Sequence, residues 1–145
     1  MRPLLSLWQT WALLSAAFAA LTAVLAKVGV EGVGPDLATF VRAVVILVVV
    51  AAIVAGTGQW QSPGTIPGRT YLFLALSGLA TGASWLCYFR ALKLGDAARV
   101  APVDKLSVVL VAVFGVTFLG EQLSAANWLG VGLIAVGAVL VAWKG

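Results

Sequence analysis

Four stretches of this chain, Trp8–Val30, Leu37–Ala55, Tyr71–Leu92 and Ala125–Trp143, are each apolar over the length needed to cross a bilayer. About 20 mostly apolar residues span roughly 30 Å of hydrocarbon, and in that layer a helix satisfies its own backbone. A fifth stretch is harder to place. From Leu106 to Leu119 the run covers only roughly 21 Å at about 1.5 Å per residue, too little to cross. Extending it back to about residue 98 restores the length and carries Asp104 and Lys105 into the span. The expected fold is an all-α integral membrane protein, one domain over 1–145 with five transmembrane helices at about 8–30, 37–55, 71–92, 98–119 and 125–143.

Composition excludes the soluble alternatives. Apolar residues are 62% and charged residues 10% of the chain, against about 45–50% and about 25% in ordinary globular proteins. Mean hydropathy is +1.08. The net charge of +4 comes from nine Lys and Arg scattered near the ends of apolar runs, not from a basic cluster interleaved with aromatics, so no nucleic-acid partner is expected. Histidine is absent and Cys87 is the single thiol. That leaves no Cys/His metal site, no intrachain disulfide and no His-dependent nucleophilic catalysis. No loop could hold a soluble catalytic domain. The expectation is a protein without cofactor, metal or enzymatic activity.

The N-terminal "MRPLLSLW" with "AFA" at Ala17–Ala19 resembles a secretory signal. Its apolar run continues to Val30, too long for a signal core, and it reads instead as the first span. Connections are short except "GTGQWQSPGTIPGR" (Gly56–Arg69), whose prolines and glycines mark an irregular surface loop. Arg2 and Arg69 fall on the side of the N-terminus; Lys93, Arg99 and Lys144 fall on the other, with Lys27, Arg42, Arg90 and Lys105 in the adjoining helix ends. Basic residues favour the cytoplasm, so the expected topology in the cell (inner) membrane is N-terminus outside and C-terminus inside.

Small residues mark where helices touch in lipid. Helix one carries Ala12, Ala16, Ala20 and Ala23 leading to Lys27, helix three a Gly78–Gly82 pair, and helix five Ala126, Gly130, Ala138 and Ala142. Helix two, β-branched nearly all round, is the one expected to face lipid.

Charges inside a span cost about 2.5–3.5 kcal/mol each, so they need a partner or a purpose. Lys27 continues the alanine stripe. Arg90 lies near a helix end, where its stem can snorkel. Arg42 sits deeper, with Asp36 or a headgroup phosphate as its expected partner. Asp104 in the first turns of helix four suits the positive helix end, whereas Lys105 there does not. Side chains adjacent in sequence project about 100° apart, so this pair need not meet. Pro102 would break the ladder of a helix beginning at Ala97 and open backbone groups to a cavity. Four embedded cations (Lys27, Arg42, Arg90, Lys105) against Asp104 suit an anionic or zwitterionic solute. Trp85 and Tyr88 could wall such a site or simply pack.

"FVRAVV" opening helix two, "CYFRALKLGDAARVAP" between helices three and four, "FLGEQLS" closing helix four and "NWLGVGLIAVGAVLV" as helix five resemble a known family. Over almost its whole length the chain resembles a single EamA domain of the drug/metabolite transporter superfamily, in its short five-helix form. The resemblance implies a transporter of roughly ten helices, built as two five-helix halves in opposite orientations around a central path. The second half would come from another polypeptide: a homodimer, possibly antiparallel, or a related chain. The expected function is secondary transport of a small metabolite by alternating access. Lys27, Arg42, Trp85, Tyr88, Arg90 and Lys105 would bind the solute, and Asp104 would couple protons. The alternative is a membrane assembly or lipid-binding partner with no transport cycle, its basic ends holding anionic headgroups.

Overall fold

The computed structural model describes residues 8–143. Its helices are α1 (Trp8–Val30), α2 (Pro35–Gly56), α3 (Gly68–Leu94), α4 (Ala97–Asp104), α5 (Ser107–Phe118) and α6 (Ala125–Ala142), with one 3-10 turn at Pro63–Thr65 and no strand among the described residues. α1, α2, α3 and α6 are each long and apolar enough to cross a membrane, and so is Ala97–Phe118, which holds α4 and α5. The protein is an all-α membrane protein with five spans.

The helix ends follow from local chemistry. α2 opens on extended Gly34 with Pro35 and Asp36 in its first turn; a first-turn proline loses no needed donor, and an acid there faces the positive helix end. It closes where Gly58 takes φ +66°, letting the Gly58 and Gln59 N–H groups donate to Ala55 and Val54 carbonyls at 3.3 and 3.1 Å. α6 opens on a reciprocal box: Ser124 Oγ accepts from the Asn127 N–H, and Asn127 Oδ1 accepts from the Ser124 N–H, each at 3.2 Å.

The fourth span, expected at about 98–119, is Ala97–Phe118, with a break inside it. It divides into α4 and α5 at Lys105–Leu106. Pro102 lies inside α4 and has no N–H to give the carbonyl one turn back. Past it the ladder tightens instead of opening. Leu106, Val108 and Val109 N–H groups donate to Val103, Lys105 and Leu106 carbonyls, each at 3.0 Å, three residues back.

Two compact units divide the chain. One holds α1 as far as Leu25 together with α4, α5 and α6; the other runs from Ala26 to Lys93 and holds the last turn of α1, α2 and nearly all of α3. In the first, α6 packs against both α4 and α5. Its buried positions are Ala23, Gly115 and Ala138, all small, which lets backbones approach. Of the alanine stripe on α1, Ala12, Ala16 and Ala20 are exposed and Ala23 is buried. In the second unit the buried set is Ala26, Val30, Thr39, Phe89 and Leu92. There α2 and α3 meet through long side chains and not by close backbone approach. Most of α2 beyond Val44 is exposed, as is most of every other span.

Candidate functional site

The C-terminal ends of α1 and α3 leave carbonyls without intrahelical donors. Each is served by a lysine from the other. Lys27 Nζ donates to the Leu92 carbonyl at 2.8 Å. Lys93 Nζ donates to the carbonyls of Val30, Glu31 and Val33 at 2.7, 2.9 and 3.3 Å. A cation at a helix C-terminus also meets the negative end of its dipole. Lys27, half-buried, therefore has a structural task beside any role toward a solute.

The next layer joins the first turn of α2 to the last turns of α3. Arg90 grips Asp36 with two parallel bonds, Nε to Oδ1 at 3.1 Å and Nη2 to Oδ2 at 2.9 Å. This fork-to-fork geometry is the strong form of the pair, although both side chains are more than half exposed. Arg42 is thus not Asp36's partner. Its guanidinium carbon lies 4.5 Å from the centre of the Trp85 ring and 5.5 Å from that of Phe89. Ring faces attract a guanidinium by about 0.5–2 kcal/mol depending on desolvation. Arg42 forms no ion pair among the described residues, so flat contacts hold it while its edge carries five N–H donors. Tyr88, one turn past Trp85 on α3, is half-buried.

Beside this layer an open groove of about 600 Å³ runs between α2 and α3, with Asp36, Thr39 and Trp85 toward one end and Ser77, Gly78 and Leu74 toward the other. It exists because α3 is small-sided here. Nothing lies within 4 Å of where a Cβ on Gly78 or Gly82 would stand. The expected glycine contact is not made within this chain.

Asp104 and Lys105 belong to the other unit. They meet each other, Lys105 Nζ to Asp104 Oδ2 at 3.1 Å. The dipole reading also reverses. Asp104 ends α4 and Lys105 is its C-cap, a position that favours the cation and not the acid. Lys105 therefore has the structural reason that a single helix four denied it.

One acid escaped the sequence reading. Gly120 takes φ +70° after α5 and turns the chain so that the Glu121 N–H donates to the Gly115 carbonyl at 3.0 Å. Its carboxylate folds back against Gly115, a turn inside the span: a Cβ there would stand 2.5 Å from Glu121 Oε2. The signal was a glycine directly before an acid at a helix end, which reverses the chain toward the helix it leaves.

Lys27, Arg42, Trp85, Tyr88 and Arg90 thus share one unit, and Asp104 pairs with Lys105 inside the other. Residues 6–143 match the EamA-like transporter family. A Sinorhizobium protein described as an uncharacterized transporter in the cobO 3′ region is 76% identical over 135 residues, 93% of this chain and 96% of that one. Probable 4-amino-4-deoxy-L-arabinose-phosphoundecaprenol flippase subunits ArnE are more distant. The Aeromonas hydrophila protein is 38% identical and that of Aeromonas salmonicida 33%, each over 48% of this chain and 60% of its own length. No solved structure matches. With five apolar spans and a family match over nearly its whole length, the chain is a member of the EamA-like transporter family.

Proposed function

We propose that the chain is one half of a secondary transporter that moves a small anionic or zwitterionic metabolite across the cell membrane by alternating access, paired with a second five-helix chain. The observation that carries this reading is Arg42, a guanidinium inside a span, held by two rings and forming no ion pair among the described residues. A charge kept at that cost suits an oxyanion that comes and goes. Trp85 and Tyr88 wall the site. Arg90 exchanges between Asp36 and the solute, and Lys27 and Lys105 add positive potential. Asp104 takes the coupling proton. Membership of a transporter family supports transport without enzymatic chemistry, and the word subunit in two relatives' names supports a partner chain. The N-terminus lies outside and the C-terminus in the cytoplasm.

Purified protein in proteoliposomes, loaded with and without a proton gradient, tests this against organic anions, amino acids and sugar phosphates. Gradient-driven uptake of an anion, reduced about tenfold or more by Arg42→Gln, is expected. Uptake that survives alanine at both Asp104 and Lys105 would sink their assignment. Tight lipid binding with no flux of any solute would favour a non-transporting partner protein instead.

A further inference from the structure

The connection from α2 to α3 runs between two membrane spans and is tied to the ends of both. At the close of α2, Thr57 Oγ1 donates to the Ile53 carbonyl at 2.8 Å. Thr65 Oγ1 closes the 3-10 turn on the Ser62 carbonyl at 2.7 Å. The Tyr71 hydroxyl, from the first turn of α3, donates to the Pro63 carbonyl at 3.2 Å and holds that turn against the helix. A loop bound in this way stays at the membrane boundary. Within it Trp60 is 70% exposed. An indole has an apolar body and one polar N–H, the combination that settles where hydrocarbon meets headgroups.

Arg69, the second residue of α3, lays its guanidinium over the Phe73 ring, 5.6 Å from its centre. Phe73 lies one turn further into the span and is more than half exposed. A cation in the first turn opposes the helix dipole, so helix formation does not explain this arginine. Nor does a carboxylate. Arg69 forms no ion pair among the described residues, and no Asp or Glu occurs between Asp36 and Asp96. Asp36 opens α2 and this loop follows its far end, roughly 30 Å away at about 1.5 Å per residue.

We propose that the α2–α3 loop is a membrane anchor: the Trp60 indole lies among the lipid headgroups, and Arg69 holds a phospholipid phosphate at the start of α3. Both helices that the loop joins are spans, so lipid is at hand on either side of it. A lipid surface supplies an apolar bed for the indole and an anion for the guanidinium together. Water would supply neither. The lipid is a neighbour of the chain and not its solute, so the anchor stands apart from any reading of transport.

The test uses the full chain with Cys87→Ala and a nitroxide on Gln61→Cys, in nanodiscs of phosphatidylcholine mixed with phosphatidylglycerol. Relaxation by dissolved oxygen against an aqueous nickel chelate should place the label at headgroup depth, and Trp60→Ser should shift it into water. In a second arm, phospholipids brominated in their chains quench the share of fluorescence that Trp60→Phe removes. Phosphatidylglycerol should quench that share about fivefold more effectively than phosphatidylcholine, and Arg69→Gln should bring the two lipids level. Trp60 and Arg69 are both exposed, so these variants should fold. A label as open to nickel as one in bulk water, with Trp60 in place, would overturn the anchor. A label shielded from both reagents and broadened by a second label would overturn it as well, and would mark the loop as a contact between chains. Equal quenching by the two lipids with Arg69 in place would overturn the phosphate contact.

Discussion

Around α6 the helices lie close: α6 packs against both α4 and α5, and small Ala138 on it is buried. Between α2 and α3 the bridges are long and charged or aromatic, Asp36 to Arg90 and Arg42 to Trp85 and Phe89, with a groove left beside them. In lipid, helices gain little from hydrophobic burial against each other, so one assembly gains van der Waals contact by close approach. The other accepts embedded charge at a cost of several kcal/mol. Each unit thus holds its helices together on different physical terms.

This contrast can be broken by substitution. Leucine at buried Ala138 should overpack the tight seam and cost about 1–3 kcal/mol in lipid-phase unfolding, whereas Gly82→Leu meets open space and should leave stability nearly unchanged. Equal losses would erase the distinction. Next is Lys93→Met, which strips the end of α1 of its shared donor; about 1–2 kcal/mol should be lost, less than a buried charged bond because Lys93 is exposed. Ser124→Ala removes the box that opens α6 and should cost about 1 kcal/mol, visible as fraying in hydrogen exchange of the first turn. The smallest stability effect belongs to Gly115→Ala. Its methyl would evict the Glu121 carboxylate, the flexible end of a side chain, so unfolding should barely change while a carboxyl infrared band moves toward the hydrated position.

The spans were legible because an apolar run long enough to cross a bilayer has few other fates. The site was legible only in part. Arg42 and Trp85 could be singled out as costly or amphipathic residues inside spans, but the Arg90–Asp36 pair joins positions 54 apart in sequence, and no local pattern announces it. The lysine exchange between the ends of α1 and α3 is hidden for the same reason. The fourth span stands at Ala97–Phe118, but counting residues could not show the tight turn at Lys105–Leu106 that divides it. Once the chain breaks at Lys105–Leu106, the dipole at Asp104 and Lys105 changes sign. Glu121 lay outside every apolar run and was passed over, although Gly120 beside it marked the reversal.

The central claim is that two five-helix chains together form the path. Flux of an anionic solute measured in proteoliposomes over a range of low chain densities tests it most directly. The account predicts flux that rises with the square of density, or that appears only when a related five-helix chain is added. Flux strictly proportional to density down to isolated chains would contradict it, because a single copy would then transport alone.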